Sequence, residues 1–251
     1  MDNSTFEAII KSQQNFFKSG KSLNLDFRKK QLIKLKSAIK ANEKAIMDAL
    51  AIDIGKSEFE SYATEIGIVY DEISLHLKKM SAWAKKKKVS TPLAAIPATS
   101  YTIAEPYGVT LIIAPWNYPF QLVVAPLVAA ISTGNCAVIK PSEFSHAISN
   151  ILEKIINETF EPNYIKVLNG DASVSKALLQ QKFDFIFFTG SPRIGKIVMQ
   201  AAAENLTPLV LELGGKSPCI VDKNIDIKQV AKRIIWGKLI NAGQTCIAPD
   251  Y

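Results

Sequence analysis

Apolar positions recur at helical spacing through the first ninety residues and change period after that. Over residues 23–54 they fall at Leu32, Leu35, Ile39, Ile46 and Leu50, with lysines between, and Gly55 supplies a stop. Over residues 59–83 the same period runs through Ile66, Val69, Ile73, Leu77 and Met80. Each stretch predicts an amphipathic helix, which needs a surface on which to bury its apolar face. Residues 98–105 alternate loosely, as a strand does. Short continuous apolar runs then follow at residues 109–114, 136–140, 165–168, 185–188, 209–213 and 218–221. Helical stretches separate them at 120–131, 145–159, 173–180 and 194–203, and 227–239 comes last.

Continuous apolar strands alternating with helices predict an α/β fold. A helical N-terminal arm precedes a Rossmann-like parallel sheet with helices on both faces. Right-handed crossovers would gather the loops that follow the strands on one edge, where ligands bind. No internal repeat is visible, and the chain ends at Tyr251 directly after a polar turn.

Composition narrows the classes. Of 251 residues 48% are hydrophobic and 21% charged, which excludes a disordered chain. The net charge of +7 sits almost wholly in residues 1–90, which hold 17 Lys/Arg against 11 Asp/Glu. The run Lys85–Lys88 reads either as a solvated helix end or as an anion-binding patch. No aromatic residues interleave with it to stack on bases, which speaks against nucleic acid. Three scattered cysteines make neither a disulfide framework nor a zinc site and fit a reducing, cytoplasmic compartment. No metal is expected. The N-terminus lacks a signal-peptide pattern, and prolines at 115, 119 and 126 interrupt the most apolar stretch, so no membrane span is expected either.

Several short segments carry candidate chemistry. Residues 188–196, FTGSPRIGK, follow a strand and open a helix. Gly190, Ser191 and Gly195 would let backbone N–H groups meet a phosphate, or would simply cap the helix. The spacing is not GxGxxG, and Ile197 stands where a P-loop needs a magnesium-binding hydroxyl. A P-loop nucleotide hydrolase is therefore a remote alternative. Cys246, in the polar stretch 241–246, is a candidate accessible thiol, whereas Cys136 and Cys219 lie in apolar runs as inert small hydrophobes. Glu212, inside an apolar run, is either a strand-end ion-pair partner or a general base whose pKa burial would raise. Asn117, in Pro115–Pro119, could donate its amide to an oxyanion or close an Asx turn. Lys140 and Glu143 stand at a strand end, within reach of ribose hydroxyls. The other reading has Ser142 or Ser145 capping the next helix and the two charges merely solvated. His76 and His146 fall on helix patterns without metal-like partners and read as structural.

Taken in order, Pro115–Pro119, Lys140–Glu143, Phe188–Lys196, Leu211–Pro218 and Asn241–Cys246 resemble the aldehyde dehydrogenase superfamily. The stretch 207–218, TPLVLELGGKSP, and the short arm are similar to its class 3-like branch. The resemblance covers the N-terminal half of such a protein. It implies an aldehyde dehydrogenase-like fold, with residues 1–240 as the NAD(P)-binding domain. That domain would comprise the arm 1–90, a bridging strand region 97–107 and the parallel core 108–240, with 241–251 beginning the catalytic domain. It implies Cys246 as nucleophile, Asn117 and the Cys246 N–H as oxyanion donors, and Glu212 as the base that activates water on the thioester. Ser191 and the Gly190–Gly195 turn would face the pyrophosphate and Lys140 and Glu143 the adenosine ribose. Trp116, Leu213 and Gly214 would complete the cofactor-contacting set that the resemblance implies.

The expected reaction is oxidation of an aldehyde to a carboxylic acid. NAD is the expected cofactor, since Glu143 would repel a 2′-phosphate, with NADP possible. A homodimer and a small-molecule aldehyde are the expected partners. The chain alone, a truncated fold, is expected to be inactive, with 98–105 as an unpaired edge. A non-catalytic nucleotide-binding or subunit-pairing remnant is the alternative, and a CoA-acylating relative the nearest variant within the enzyme class.

Overall fold

The structure, a computed structural model, describes residues 3–251. The arm is helical. It comprises α1 (Asn3–Lys18), α2 (Leu25–Ala41), α3 (Glu43–Ile54), the single turn α4 (Glu58–Ser61), a π turn (Tyr62–Ile66) and α5 (Gly67–Trp83). The single helix expected over 23–54 is in fact two. Asn42 breaks it at φ −115° and ψ 14°, and its side-chain amide donates to the Ala38 carbonyl at 2.9 Å. An asparagine that bonds nearby backbone gives the chain an alternative to the helix ladder. The apolar period survives the break, since Leu32, Leu35, Ile39, Ile46 and Leu50 are all buried. Gly55 ends α3 in the left-handed region at φ 70°.

A small antiparallel sheet pairs β1 (Lys87–Val89) with β2 (Ser100–Thr102). Two expectations change here. The alternating stretch 98–105 shortens to three strand residues and is not unpaired. Its partner comes from the lysine run, so Lys87 and Lys88 lie on an exposed strand rather than at a helix end.

The core alternates β3 (Val109–Ile113), α6 (Gln121–Thr133), β4 (Cys136–Lys140), α7 (His146–Thr159), β5 (Ile165–Val167), α8 (Ala172–Leu179), β6 (Phe185–Gly190), α9 (Pro192–Glu204) and β7 (Leu209–Leu213), and α10 (Ile227–Leu239) follows. The five strands form one parallel sheet in the order β5-β4-β3-β6-β7. The run 218–221 is not a strand, and Ile220 is 90% exposed. Among the described residues it has no sheet neighbour; Cys219 donates to the Tyr251 carbonyl, and Ser217, just before the run, accepts the Asp250 N–H.

On one face α6 packs on β3 and β4, with α7 beside β5 and α2, α3 and α5 behind them. On the other, α1 lies on β3 and β4 next to α8, and α9 lies on β6 and β7. Every residue of β3 and β4 is buried, whereas β7 alternates and α10 buries none. The strand order reverses at β3, which lies between β4 and β6. The loops after β3 and β6 therefore diverge and open a crevice at the carboxyl edge.

Candidate active site

All five strands point their carboxyl ends at one edge, so the segments carrying Asn117, Lys140, Ser191 and Gly214 emerge together. The turn that bears Cys246 is bound to the first of them. The Asn117 side chain donates to the Gln244 carbonyl at 2.8 Å, and the Asn241 side chain donates to the Asn117 carbonyl at 2.7 Å. The Tyr118 and Thr245 hydroxyls share a hydrogen bond. Asn117 therefore closes no Asx turn. Its amide has a second N–H that can face a reacting oxygen. Cys246 is exposed. Its carbonyl lies so close to Gly215 that a β-carbon there would sit 3.2 Å away. The Cys246 turn thus touches both the loop after β3 and the loop after β7.

Glu212 pairs across the sheet with Thr189 in register, yet its side chain is exposed because, among the described residues, no helix packs on the face of β7 that carries Val210 and Glu212. The burial expected of a carboxylate in an apolar run is absent, and so is the alternative ion pair among the described residues. The strand is apolar because its other face packs on α9.

Lys140 is fully buried at the end of β4 and donates to the Pro141 carbonyl at 2.7 Å and to Glu143 at 3.2 Å. It is not the solvated charge of the simpler reading. Burial lowers its pKa from the ordinary lysine value, against the pull of Glu143. Beside it a pocket of about 180 Å³ is lined by Glu143, His146, Asn169 and Asp171. Ser145 stands at the N-cap of α7, but neither its hydroxyl nor that of Ser142 accepts an N–H of the helix. Asp53, from the end of α3, accepts the Ala147 and Ile148 N–H groups at 3.1 and 2.8 Å.

Gly190 ends β6 and Ser191 caps α9, its hydroxyl accepting from the Ile194 N–H, with Pro192 at the first helical position. A β-carbon on Gly195 would lie 2.9 Å from Leu213, so this glycine lets α9 approach β7. The capping role is present: Ser191 takes the Ile194 and Gly195 N–H groups and Pro192 has none, which leaves the Arg193 N–H as the first-turn donor for a ligand. Trp116 is 40% exposed, and a β-carbon on Gly214 would meet nothing within 4 Å.

The sequence reading missed the residues beneath this edge. Glu65 is fully buried, accepts the Phe120 and Gln121 N–H groups at 2.8 and 2.9 Å, and pairs with Lys56 at 2.6 Å. Burial is the larger influence on both. It raises the Glu65 pKa and lowers that of Lys56, while their mutual attraction opposes it. The Lys56 ammonium also lies 4.2 Å from the centre of the Tyr118 ring. Glu60 accepts the Asn241 N–H at 2.7 Å. Helical periodicity carried no signal for this group, because Glu60 and Glu65, five apart, occupy different faces of a regular helix. Among the described residues no cluster of potential metal ligands occurs, and no helix is long and apolar enough to cross a membrane.

Comparison with known proteins agrees with this geometry. The model of the aldehyde dehydrogenase family matches residues 1–250. The chain is 52% identical over 236 residues to 4,4'-diaponeurosporen-aldehyde dehydrogenase of Staphylococcus aureus, covering 94% of this chain and 51% of that protein. It is 46% identical to mouse aldehyde dehydrogenase family 3 member B2, with 98% of this chain and 51% of that protein covered. The solved structure of Staphylococcus aureus AldH in a substrate-bound state superposes with a TM-score of 0.95 at 50% identity, over 98% of this chain and 54% of that one. Pseudomonas syringae indole-3-acetaldehyde dehydrogenase, in complex with NAD+, is 28% identical with a TM-score of 0.87, over 99% of this chain and 51% of that one. The chain spans about half the length of the curated relatives it matches. With its parallel sheet, its loop-bound cysteine turn and this match along nearly the whole sequence, the chain belongs to the aldehyde dehydrogenase family.

Proposed function

We propose that this chain supplies the NAD(P)-binding part and the nucleophile of an enzyme that oxidises an aldehyde to a carboxylic acid. The observation that carries the reading is the bonding of Asn117 and Tyr118 to Gln244 and Thr245, which sets an amide donor against the Cys246 turn. The Cys246 thiolate attacks the aldehyde carbonyl. The free N–H of Asn117 and the backbone N–H of Cys246 take the charge that develops on oxygen. When bound, NAD(P) would supply the hydride acceptor that this oxidation needs. Glu212, exposed at the end of β7, removes a proton from the water that hydrolyses the thioester. A base in this place favours hydrolysis over transfer to CoA.

The residues present fit a dinucleotide. Lys140 retains an N–H beyond the two it uses, and the adjoining pocket includes Asn169, whose side-chain oxygen is buried without a partner. Lys140 and Glu143 would hold the adenosine ribose and the start of α9 the pyrophosphate, with Trp116, Leu213 and Gly214 alongside. The Glu143 carboxylate favours NAD over NADP. The same reading divides the chain into a cofactor-binding domain through residue 240 and the beginning of a catalytic domain. Its cellular setting is a reducing, cytoplasmic one and its assembly a homodimer.

In the protein that carries these residues, aldehyde-dependent NAD reduction should fall about 10³-fold or more in Cys246→Ser. Asn117→Ala should lose about 10²–10³-fold in kcat. Full activity in Cys246→Ser would overturn the reading. Cofactor binding without any turnover by the wild type would favour the non-catalytic remnant instead.

A further inference from the structure

We infer that the π turn of the helical arm is a positioning device for the Cys246 turn, acting through Glu60, Glu65 and Lys56. The inference rests on the proposed role of Cys246 but concerns residues outside the reacting group. In a regular helix, positions five apart are rotated by about 140°, and Glu60 and Glu65 would face different ways. The wider turn over Tyr62–Ile66 reduces that rotation, and both carboxylates reach the carboxyl edge of the sheet.

Their targets divide the work. Glu65 holds the Phe120 and Gln121 N–H groups and so anchors the loop that carries Asn117 and Tyr118 to the start of α6. Lys56 pairs with Glu65 and lies under the Tyr118 ring, whose hydroxyl reaches Thr245, the residue before Cys246. Glu60 takes the Asn241 N–H. Asn241 and Ala242 are both in the left-handed region, at φ 55° and 53°, where residues with a β-carbon rarely rest. Such a conformation persists only where the surroundings over-determine it. The Asn241 backbone is held by Glu60 and its side chain by the Asn117 carbonyl. The arm therefore keeps a strained turn in one shape and fixes where the thiol points, without touching substrate or cofactor.

The test is the rate of Cys246 alkylation by iodoacetamide in the complete protein, without cofactor or aldehyde. Cys219 is followed peptide by peptide as an internal reference, with a parallel thermal midpoint. Glu60→Ala should release the turn and raise the Cys246 rate by about tenfold, the scale of one lost charge-assisted hydrogen bond. Glu60→Gln retains an acceptor oxygen and should restore the wild-type rate. Lys56→Met combined with Glu65→Gln removes both charges while leaving an acceptor for the α6 N–H groups, and should also raise the Cys246 rate. An unchanged Cys246 rate in Glu60→Ala or in the Lys56→Met, Glu65→Gln double variant, or an equal rise at Cys219, would show a general brace and overturn the inference. Failure of the wild type to oxidise aldehydes would sink the proposed function but leave this alkylation result standing.

Discussion

β4 and β7 are both five-residue strands of one parallel sheet, and their environments differ completely. All of β4 is buried, including the charged Lys140 at its end, whereas β7 exposes Val210 and Glu212. β4 has a strand on each side and helices on both faces, whereas β7 has one neighbour and α9 on one face. The contrast extends outward. The arm packs its apolar stripe behind α6 and α7, while α10, more amphipathic in sequence than α2, α3 or α5, leaves Trp236 70% exposed and buries nothing. An apolar run thus marks what a strand can bury, and its neighbours decide what it does bury.

The largest expected effect tests the interior half. Lys56→Met leaves the Glu65 carboxylate buried without its ion partner and should cost about 3–5 kcal/mol in denaturant unfolding. A loss below 1 kcal/mol would mean that the pair contributes little to the interior half. Next, Ile139→Ala in β4 should cost about 2–5 kcal/mol, while Val210→Ala in β7 should cost well under half of that. Equal losses would erase the contrast between the strands.

A smaller effect comes from Cys136, also in β4, whose thiol burial pushes its pKa up from 9.0 to about 12. The folded chain keeps this proton after the unfolded chain has lost it. Stability is therefore full below about pH 9 and declines toward pH 12, by about 1.4 kcal/mol per pH unit at most. Cys136→Ala should flatten that part of a stability-against-pH curve, and an unaltered slope would place the loss elsewhere. Smallest of all, Trp236→Ser on α10 should change stability by no more than about 0.5 kcal/mol. A larger loss would show that α10 is covered in solution, which is the outcome that would most sharpen the comparison.

Much of the architecture was legible in the chain. The runs at 136–140, 209–213 and 227–239 became β4, β7 and α10 without change of boundary. Short apolar runs between helical periods leave few alternatives to a covered parallel sheet. The break at Asn42, the pairing of the lysine run with 100–102 and the absence of a strand at 218–221 were not legible. Each depends on which neighbour is available rather than on a period.

The candidate site divides in the same way. Residue types and order determined which groups this chain can bring to chemistry: a thiol at Cys246, an amide at Asn117, a carboxylate at Glu212 and an ammonium at Lys140. Only the tertiary structure decided their settings. It joined Asn117 to the Cys246 turn, buried Lys140 and left Glu212 in the open. It also set Lys56, Glu60 and Glu65 beneath the site, from the segment between α3 and α5 that precedes the sheet in sequence. Local spacing dictates helix and strand because backbone bonds and side-chain periods are short-range. Burial, partners and charge state arise from contacts between distant segments, which exist only once the chain is folded.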